Sequence, residues 1–509
     1  MDTFSVARID GVRDTDELVL YRTGNTTKTN DYGLEIVVHG DRVGHIGGNN
    51  NEIPADGFVL SGHGNAAQYL AKNACEGALV RFEEATMTVT IEKDEQALLT
   101  AAKKQEALLQ TRFAERIAEG TAFPKERAEA LLSDLHEAIE AHRFDEIEKL
   151  SETLYYLTAA SKKGEVRAVW HRPKEHSDAE AEATVLRLKG AGFNRMFVEI
   201  DYHGYSNAFK LKHDYYLPEP EFADGFDSIE ALVKACKKHG MEVHAWFENF
   251  YCGAELFPCA MKELHPDWLA RTRSGGWLHD FLDIFYYLNP AIPEVRALLL
   301  GHIRELLDNY DFDGLQLDYI RYPMMKDLDH CAGFDDYSKR EFKKATGIDA
   351  DAITDIDSEE MKEFTRWRTS FITEYVREVY ELIMEYRKNG RYLALSTAVF
   401  GDPDEAIRIK CQDWRTWVKN GWLDAIYPMA YFDTAEAVGK EIANMVTNYG
   451  EAPNISGLAP MYNGLPVIEA TKQVEACRKA GASGIAFFGS ADCTDEQLEA
   501  LKIGVFRER

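Results

Sequence analysis

Carboxylate, tyrosine and tryptophan side chains follow a series of short apolar runs in the C-terminal two thirds of the chain. Trp170, Glu199, Trp246 and Asp318 are examples. The C–H faces of sugars stack on aromatic rings, and carboxylates and amides form hydrogen bonds with sugar hydroxyls. The composition of these positions is therefore typical of a carbohydrate site. The alternative is that the aromatic side chains only fill the mouth of a wide barrel.

The apolar runs alternate with amphipathic helical patterns from residue 164 to the end of the chain. Eight runs are predicted as strands: 166–170, 195–199, 242–247, 314–318, 392–398, 424–429, 455–459 and 484–488. Helical patterns between them cover 177–189, 228–238, 293–309, 359–387, 413–419 and 468–480. This alternation predicts an α/β fold, a (β/α)8 TIM-type barrel with long insertions. An open doubly wound sheet would need a glycine-rich turn after its first strand, which here ends in Trp170, His171, Arg172 and Pro173.

Working residues of such barrels lie where the strands end and in the loops that follow. The positions that meet this condition are Trp170, His171, Arg172, Glu199, Asp201, Tyr202, His203, Trp246, Glu248, Asn249, Asp318, Tyr319, Arg321, Tyr322, Tyr427 and Tyr431. Glu248 and Asp318 are considered below as catalytic carboxyls. Arg172, Tyr319 and Tyr322 receive no role, and the other residues of this set are predicted to bind substrate.

The chain of 509 residues is long enough for two or three domains. All eight tryptophans lie between Trp170 and Trp422, so the composition changes near residue 164. Strand-like runs separated by turn residues predict a small β-rich accessory domain over 1–94. A helical stripe that includes Leu131, Leu135 and Ile139 predicts a helical hairpin or brace over 95–163. The barrel is expected to form the third domain, 164–509.

The charge of the chain narrows the choice of partner. It has 58 basic and 86 acidic side chains and a formal net charge of −28. Nucleic acid and anionic membranes repel such a chain unless it carries a local basic stripe, and we find none in the sequence. The apolar runs fall short of the about 18 residues that a membrane span needs. We therefore expect an oligosaccharide or polysaccharide partner, with no nucleic acid and no membrane span.

The sequence gives few indications of compartment and none of a cofactor. Its first ten residues lack the basic segment and apolar core of a signal peptide, so we expect a cytoplasmic protein; a chain shown without its leader would belong to the cell envelope or the extracellular space. The eight cysteines are scattered, which indicates buried, reduced thiols. No dinucleotide fingerprint and no metal-ligand cluster occurs, so no cofactor and no metal is predicted.

One stretch of the sequence, residues 311–323 (DFDGLQLDYIRYP), resembles the fourth-strand signature of the glycoside hydrolase-like family 10 proteins, also called family 10 glycosylhydrolases. Residues 166–170 (VRAVW), 192–194 (GFN), 243–246 (VHAW) and 427–431 (YPMAY) add to this resemblance. The resemblance implies a barrel hydrolase that cleaves glycosidic bonds of bacterial envelope polysaccharide, with peptidoglycan-derived glycan as one substrate class. The first 94 residues are similar to an accessory β domain found on such proteins.

The resemblance also directs attention to two carboxyl groups. Asp318 matches the acid that ends the fourth strand in the family, whereas Glu248 departs from the family, which often has a non-acidic residue such as asparagine there. Glycosidases need one carboxyl that protonates the leaving oxygen and a second that attacks carbon or activates water. Carboxyls on adjacent strands, about 4.8 Å apart, can approach the roughly 5.5 Å used by retaining enzymes. We predict Asp318 as nucleophile and Glu248 as acid/base, with Glu199, Asp201 and Asp433 as reserve candidates for the acid.

The same stretch is also similar to the fourth strand of family 18 chitinases, which ends in Asp-any-Asp-any-Glu. Ile320 occupies the place of that glutamate, the acid of those enzymes, so the chitinase mechanism built on this motif is not expected. Asp313 precedes the strand and should lie at the opposite, stabilising end of the barrel.

Two other classes of function remain open. A metal-dependent barrel hydrolase would normally carry His-any-His on the first strand, and this chain has only His171 after that strand. His203 and His244 remain, but His244 falls inside a strand and is expected to be a hydrogen-bonded histidine of the barrel. A catalytically silent glycan-binding barrel would use aromatic side chains such as Trp268 and Trp277 without chemistry. The long insertion that holds these two tryptophans, and the insertion after Pro323, are expected to form the walls of a cleft.

Overall fold

The structure is a computed structural model that describes residues 3–29, 33–212, 215–257, 259–276, 278–280, 283–448, 450 and 452–507. The chain divides into two compact units, Met1–Thr158 and Ala159–Arg509. The three predicted domains, 1–94, 95–163 and 164–509, stay a prediction. In the part of the chain that the structure describes, no helix is both long and apolar enough to cross a membrane.

The first unit begins with an eight-stranded sheet. Its strands are β1 (Thr3–Ser5), β2 (Arg8–Ile9), β3 (Leu18–Tyr21), β4 (Leu34–His39), β5 (Arg42–Ile46), β6 (Gly57–Gly62), β7 (Leu79–Glu83) and β8 (Thr88–Glu92), in the order β1-β8-β7-β5-β4-β6-β3-β2. Helix α1 (Asn65–Asn73) packs on β4 and β6. Leu20, Ile36 and Leu60 are fully buried in the core of this β-rich region. The predicted β-rich N-terminal part is therefore confirmed.

Three helices follow the sheet: α2 (Glu95–Ala118), α3 (Lys125–Glu140) and α4 (Phe144–Leu157). The side chain of Asp94 accepts a hydrogen bond from the Ala97 amide and begins α2. Leu135, Ile139 and Leu154 are fully buried where the helices pack together. The predicted helical segment is present because its apolar stripes have partners within these three helices.

The second unit contains strands of a barrel and of its insertions. In chain order they are β9 (Val166–His171), β10 (Arg195–Glu199), β11 (Asp201–Tyr202), β12 (Tyr205–Ser206), β13 (Leu217–Pro218), β14 (Glu242–Glu248), β15 (Tyr251–Ala254), β16 (Leu278–Asp280), β17 (Asp283–Tyr287), β18 (Gly314–Asp318), β19 (Ala394–Val399), β20 (Ala425–Pro428), β21 (Ile455–Leu458) and β22 (Gly484–Phe487). Its helices are α5 (Asp178–Gly190), α6 (Ser228–His239), α7 (Ala260–Leu264), α8 (Pro293–Asn309), α9 (Asp336–Thr346), α10 (Glu359–Lys388), α11 (Pro403–Lys410), α12 (Trp414–Lys419), α13 (Ala435–Asn448), α14 (Val467–Lys479) and α15 (Asp495–Ile503).

Eight of these strands form one parallel sheet in the order β20-β19-β18-β14-β10-β9-β22-β21. Parallel bridges Ile426 to Asn454 and Met429 to Gly457 join the two ends of the sheet and close it into a barrel. The predicted (β/α)8 barrel is confirmed, and each of the eight predicted strands corresponds to one barrel strand. The short strands β11–β13 and β15–β17 form two small sheets in the insertions that follow β10 and β14.

Alternate residues of the barrel strands fill its interior. Trp170, Phe197, Trp246 and Tyr427 form one buried cluster, in which the Phe197 and Tyr427 rings meet edge to face at 5.0 Å. The intervening residues face the surrounding helices, since successive side chains of a strand point to opposite sides. This alternation decides which of the residues at the strand ends point toward the barrel axis.

Candidate active site

Glu248 and Asp318 are the last residues of adjacent parallel strands. They are directly opposite each other in the register of β14 and β18. Neighbouring strands lie about 4.8 Å apart, so the two carboxyl groups begin from neighbouring positions at the carboxyl end of the barrel. Both residues line one cavity of about 700 Å³. The structure therefore brings together the two carboxyls that the sequence analysis paired.

The Asp318 carboxylate is held by two hydrogen bonds. The Trp246 indole Nε1 donates to Oδ2 at 2.9 Å, and the Tyr319 amide donates to Oδ1 at 2.7 Å. Burial raises the pKa of Asp318, while these two donors and the charges of Arg321 and Arg172 act to lower it. Donors to both oxygens fix the orientation of the carboxylate and favour its ionised form.

The Glu248 carboxyl lies in a different environment. Glu248 is 1% exposed, and neither of its carboxyl oxygens has a hydrogen-bond partner among the described residues. Burial raises the pKa of Glu248 well above its usual value, and the nearby charges of Glu199 and Asp318 raise it further. Glu248 is therefore suited to hold a proton at neutral pH.

A third carboxyl, Glu199 at the end of β10, is paired with Arg172. The Arg172 Nε lies 3.0 Å from Oε1 and 3.1 Å from Oε2 of Glu199. Burial raises the pKa of Glu199 to about 7, against the lowering effect of the Arg172 charge. The guanidinium also lies over the Tyr202 ring, 4.2 Å from its centroid. Its two terminal nitrogens have no hydrogen-bond partner among the residues that the structure describes, and Arg172 lines the cavity.

Aromatic rings cover much of the remaining cavity wall. Phe488 lies 5.8 Å from Tyr431 and 5.2 Å from Tyr462, measured between ring centroids. The cavity wall also includes Phe400, Glu405 and other residues that follow β19. Rings beside carboxylates provide stacking faces and hydrogen-bond acceptors, which is the combination that sugars need.

The structure places the predicted substrate-binding residues in two groups. Those that line the cavity are Trp170, Trp246, Arg321 and Tyr431. Those that are not among its lining residues are His171, Glu199, Asp201, Tyr202, His203, Asn249 and Tyr427. Glu199 and Tyr202 still contact the cavity residue Arg172, so they act on the cavity through it.

Most of the predicted residues that do not line the cavity have buried side chains that contact other protein groups. His171 contacts Ser490 Oγ at 2.6 Å and Glu175 at 3.2 Å. Asn249 accepts a hydrogen bond from the Tyr375 hydroxyl at 3.0 Å. The remaining contacts are Tyr427 with Arg195, Asp201 with His302, and His203 with Tyr251.

Two further candidates from the sequence, Asp433 and His244, are not among the residues that line the cavity. The reserve acid Asp433 is exposed and accepts a hydrogen bond from Asn463 at 3.2 Å. His244 is buried inside β14, where burial lowers its pKa. Trp277 lies outside the described residues. Within the described part of the chain, no group of three or more His, Cys, Asp or Glu side chains could hold a metal ion.

Comparison with known proteins gives the family. The profile of the glycosyl hydrolase-like 10 family matches residues 165–476, more than half of the chain. The chain belongs to the glycosyl hydrolase-like 10 family. This confirms the resemblance seen in the sequence motifs.

Curated relatives of this glycosyl hydrolase-like 10 chain are distant. It is 23% identical to the glycosyl hydrolase YngK of Bacillus subtilis over 232 residues, which cover 41% of this chain and 39% of YngK. It is 22% identical to the glycosyl hydrolase DigH of Escherichia coli over 232 residues, 42% of this chain and 48% of DigH. The chain therefore spans less than half the length of these two relatives. Among solved structures, the β-amylase catalytic domain from Paenibacillus polymyxa aligns with a TM-score of 0.48 and 13% identity, over 68% of this chain and 99% of that one.

Several residues that line the cavity of this glycosyl hydrolase-like 10 chain had no predicted role. Arg172, Tyr319, Phe400 and Phe488 line it. Arg172 could have been found from the alternation of side chains, because Trp170 points into the barrel and the second residue after it continues on the same side. Phe400 and Phe488 directly follow β19 and β22, and this position after a strand is the signal that could have identified them.

Proposed function

We propose that this chain hydrolyses glycosidic bonds of a bacterial envelope polysaccharide, with peptidoglycan-derived glycan as the first substrate class to examine. The observation that carries the proposal is the pair of opposed carboxyls in one aromatic cavity. Asp318 accepts two hydrogen bonds, and Glu248 accepts none from the residues that the structure describes. Membership of a glycosyl hydrolase-like family and similarity to two bacterial glycosyl hydrolases support the reaction class.

The proposed mechanism uses the different environments of the two carboxyls. Glu248 gives its proton to the glycosidic oxygen while an Asp318 oxygen attacks the anomeric carbon, so the bond to the leaving sugar breaks and a glycosyl ester forms. Glu248, now a carboxylate, takes a proton from water. The resulting hydroxide attacks the anomeric carbon and releases the ionised Asp318. Net hydrolysis restores both carboxyls to their starting states.

The Asp318→Asn variant tests whether the protein has this activity. Wild type and variant are incubated with bacterial envelope glycans, including peptide-free peptidoglycan strands, and the products are analysed by mass spectrometry. New oligosaccharides with wild type alone support the proposal and identify the repeat that is cleaved. Intact glycans with both proteins, with binding retained, contradict it and favour the catalytically silent glycan-binding barrel.

A second measurement tests the assignment of roles. Glu248→Gln removes the proton donor, so hydrolysis of a natural glycan should fall by about 10² to 10⁴-fold. Aryl glycosides whose phenolate leaves without protonation should lose much less in the glycosylation step. An equal loss on both kinds of substrate would contradict the acid role of Glu248. Asp318→Asn serves as the comparison, since loss of a nucleophile affects both kinds of substrate.

A further inference from the structure

A second groove lies on the barrel unit, where the insertions after β14 and β18 meet. The amides of Gly333 and Phe334 both donate to the Arg271 carbonyl oxygen at 3.0 Å. The Arg273 amide donates to the Cys331 carbonyl at 3.1 Å. The groove between the insertions has a volume of about 760 Å³, and it shares no lining residue with the catalytic cavity. These backbone hydrogen bonds between the two insertions hold the walls of the groove together.

Two half-buried aromatic residues line this groove. Trp268 stacks on His265 with 3.8 Å between ring centroids and an angle of 10° between the planes, and it has no other ring contact with the described residues. Tyr337 lies in the first turn of α9, and its hydroxyl has no hydrogen-bond partner in the described part of the chain. The groove therefore offers an indole surface and a phenol hydroxyl to a ligand.

The charges of the groove are balanced. Its cationic side chains are Arg271, Arg273, Lys339 and Arg340, and its anionic ones are Asp267, Glu294, Asp335 and Asp336. A strongly anionic or cationic polymer would meet groups of its own sign on such a surface. A polyhydroxylated chain can use both kinds of group, because each sugar hydroxyl is a donor and an acceptor. Aromatic rings beside mixed polar groups are typical of a site that binds sugar.

Hydrogen bonds link the groove to the catalytic cavity. Arg321 lines the cavity, and the hydroxyl of the next residue, Tyr322, donates to Asn289 Oδ1 at 3.0 Å. The Asn289 amide donates to the Asp335 carboxylate at 3.0 Å, and Asp335 lines the groove. Both insertions also leave the carboxyl ends of adjacent barrel strands. The groove and the cavity are thus formed at the same end of the barrel.

We propose that this groove binds a stretch of the polysaccharide chain outside the catalytic cavity, with the sugar stacked on Trp268 and hydrogen-bonded to Tyr337. The identity of the ligand rests on the proposed function. The groove gives long chains a second point of attachment, so it increases affinity for polymers and leaves short fragments unaffected.

The test uses the full chain with Asp318→Asn, so that bound glycan stays intact. Calorimetry measures its affinity for long peptide-free peptidoglycan strands and for their disaccharide repeat. Adding Trp268→Ala should weaken binding of long strands about tenfold and leave disaccharide binding unchanged. Tyr337→Phe should weaken long-strand binding by a smaller factor. Tyr392→Ala, which removes an exposed aromatic outside the groove, is the matched control and should bind like its parent.

Several results would overturn the proposal. One is equal affinity of the parent and the Trp268→Ala variant for long strands, with both proteins folded by circular dichroism. Another is an equal weakening of binding to long strands and to the disaccharide in Trp268→Ala. A third is competition for the groove by a peptide but not by glycan. If the parent binds no glycan, the proposed function also fails. If wild type cleaves no glycan but Trp268→Ala still weakens binding of long strands, the groove proposal stands and the hydrolase proposal fails.

Discussion

Arg172 sets the charge balance around the three buried carboxyls. It pairs with Glu199, and its charge lowers the pKa values of Glu199, Glu248 and Asp318. The proposed reaction needs Asp318 ionised and Glu248 protonated. The rate should therefore rise with pH as Asp318 loses its proton and fall as Glu248 loses its own. Burial moves both limbs of this profile to higher pH, and the charge of Arg172 acts against it.

Replacing Arg172 with glutamine should move both limbs to higher pH. Loss of the positive charge raises the pKa values of Asp318 and Glu248, so the variant needs a higher pH before Asp318 is ionised. At a pH on the ascending limb, kcat/KM should fall about tenfold or more. The measurement is the pH dependence of kcat/KM. Arg172→Lys keeps the charge and should give limbs close to those of wild type.

The prediction is wrong if the pH dependence of kcat/KM in Arg172→Gln is unchanged, or if its limbs move to lower pH. Arg366→Gln, which removes an exposed arginine from α10, is the control for a general loss of positive charge and should leave the profile in place.

Glu248 should also reduce the stability of the folded protein at neutral pH. Its pKa is higher in the folded than in the unfolded state. The proton on Glu248 therefore makes its full contribution to the free energy of unfolding below the pKa of the unfolded state, about 4.3. This contribution declines as the pH rises toward the pKa of Glu248 in the folded state. Glutamine cannot ionise, so Glu248→Gln should raise the Tm of the barrel unit by about 2 °C or more at pH 8 and by less at pH 4. Thermal unfolding monitored by circular dichroism at both values of pH measures this.

Glu436→Gln, a change of an exposed glutamate on α13, is the matched control for Glu248→Gln. Its effect on Tm should be small and nearly independent of pH. A Tm of Glu248→Gln that falls relative to wild type as pH rises from 4 to 8 would show that the buried Glu248 is ionised and stabilised in the fold.

The barrel strands were predictable from the sequence, whereas the strands of the insertions were not. Each barrel strand is a short apolar run between turn residues, which gives a clear signal. Strands β11 to β13 and β15 to β17 have two to five residues each, too few for periodicity to be seen, and they depend on pairing within their insertions. The predicted fifth strand begins two residues before β19, because Tyr392 lies outside the sheet and is 67% exposed.

The site was partly predictable for the same reason. The strand ends identified Glu248 and Asp318, which the structure places opposite each other. They did not separate residues that point into the barrel from their neighbours that point toward the helices. His171 and Arg172 illustrate this, because the His171 ring contacts buried Ser490 and Glu175, while Arg172 lines the cavity. Contacts between distant insertions, such as those of Arg271, carry no local signal in the sequence.

The seam that closes the barrel should be sensitive to a single methyl group. A Cβ added to Gly457 on β21 would lie 2.8 Å from the Pro428 carbonyl oxygen of β20 and 3.2 Å from the Trp170 ring. Gly457→Ala should therefore lower the free energy of unfolding of the barrel by about 1–3 kcal/mol. Urea unfolding followed by tryptophan fluorescence measures the change.

Gly190 provides the matched control for the seam, because a Cβ added there meets no atom within 4 Å. Gly190→Ala at the end of α5 should be neutral or slightly stabilising. An equal free energy of unfolding of Gly457→Ala and wild type would mean that β20 and β21 can move apart without loss of stability.

The chain consists of two units with separate cores. The buried clusters of the β-rich sheet and of helices α2 to α4 lie within residues 1–158, and the barrel clusters lie within 159–509. Scanning calorimetry should therefore show two unfolding transitions. Gly457→Ala should lower the midpoint of one transition and leave the other within about 1 °C. A single cooperative transition that shifts as a whole would contradict independent cores.

The roles of Asp318 and Glu248 are tested by the rate at which new reducing ends appear when the protein acts on bacterial envelope glycan. Wild type and Glu436→Gln should release reducing ends at similar rates. Asp318→Asn and Glu248→Gln should each lose at least about 100-fold in rate while they remain folded. Release at a near wild-type rate by either carboxyl variant would contradict the assignment of Asp318 and Glu248 as the catalytic pair.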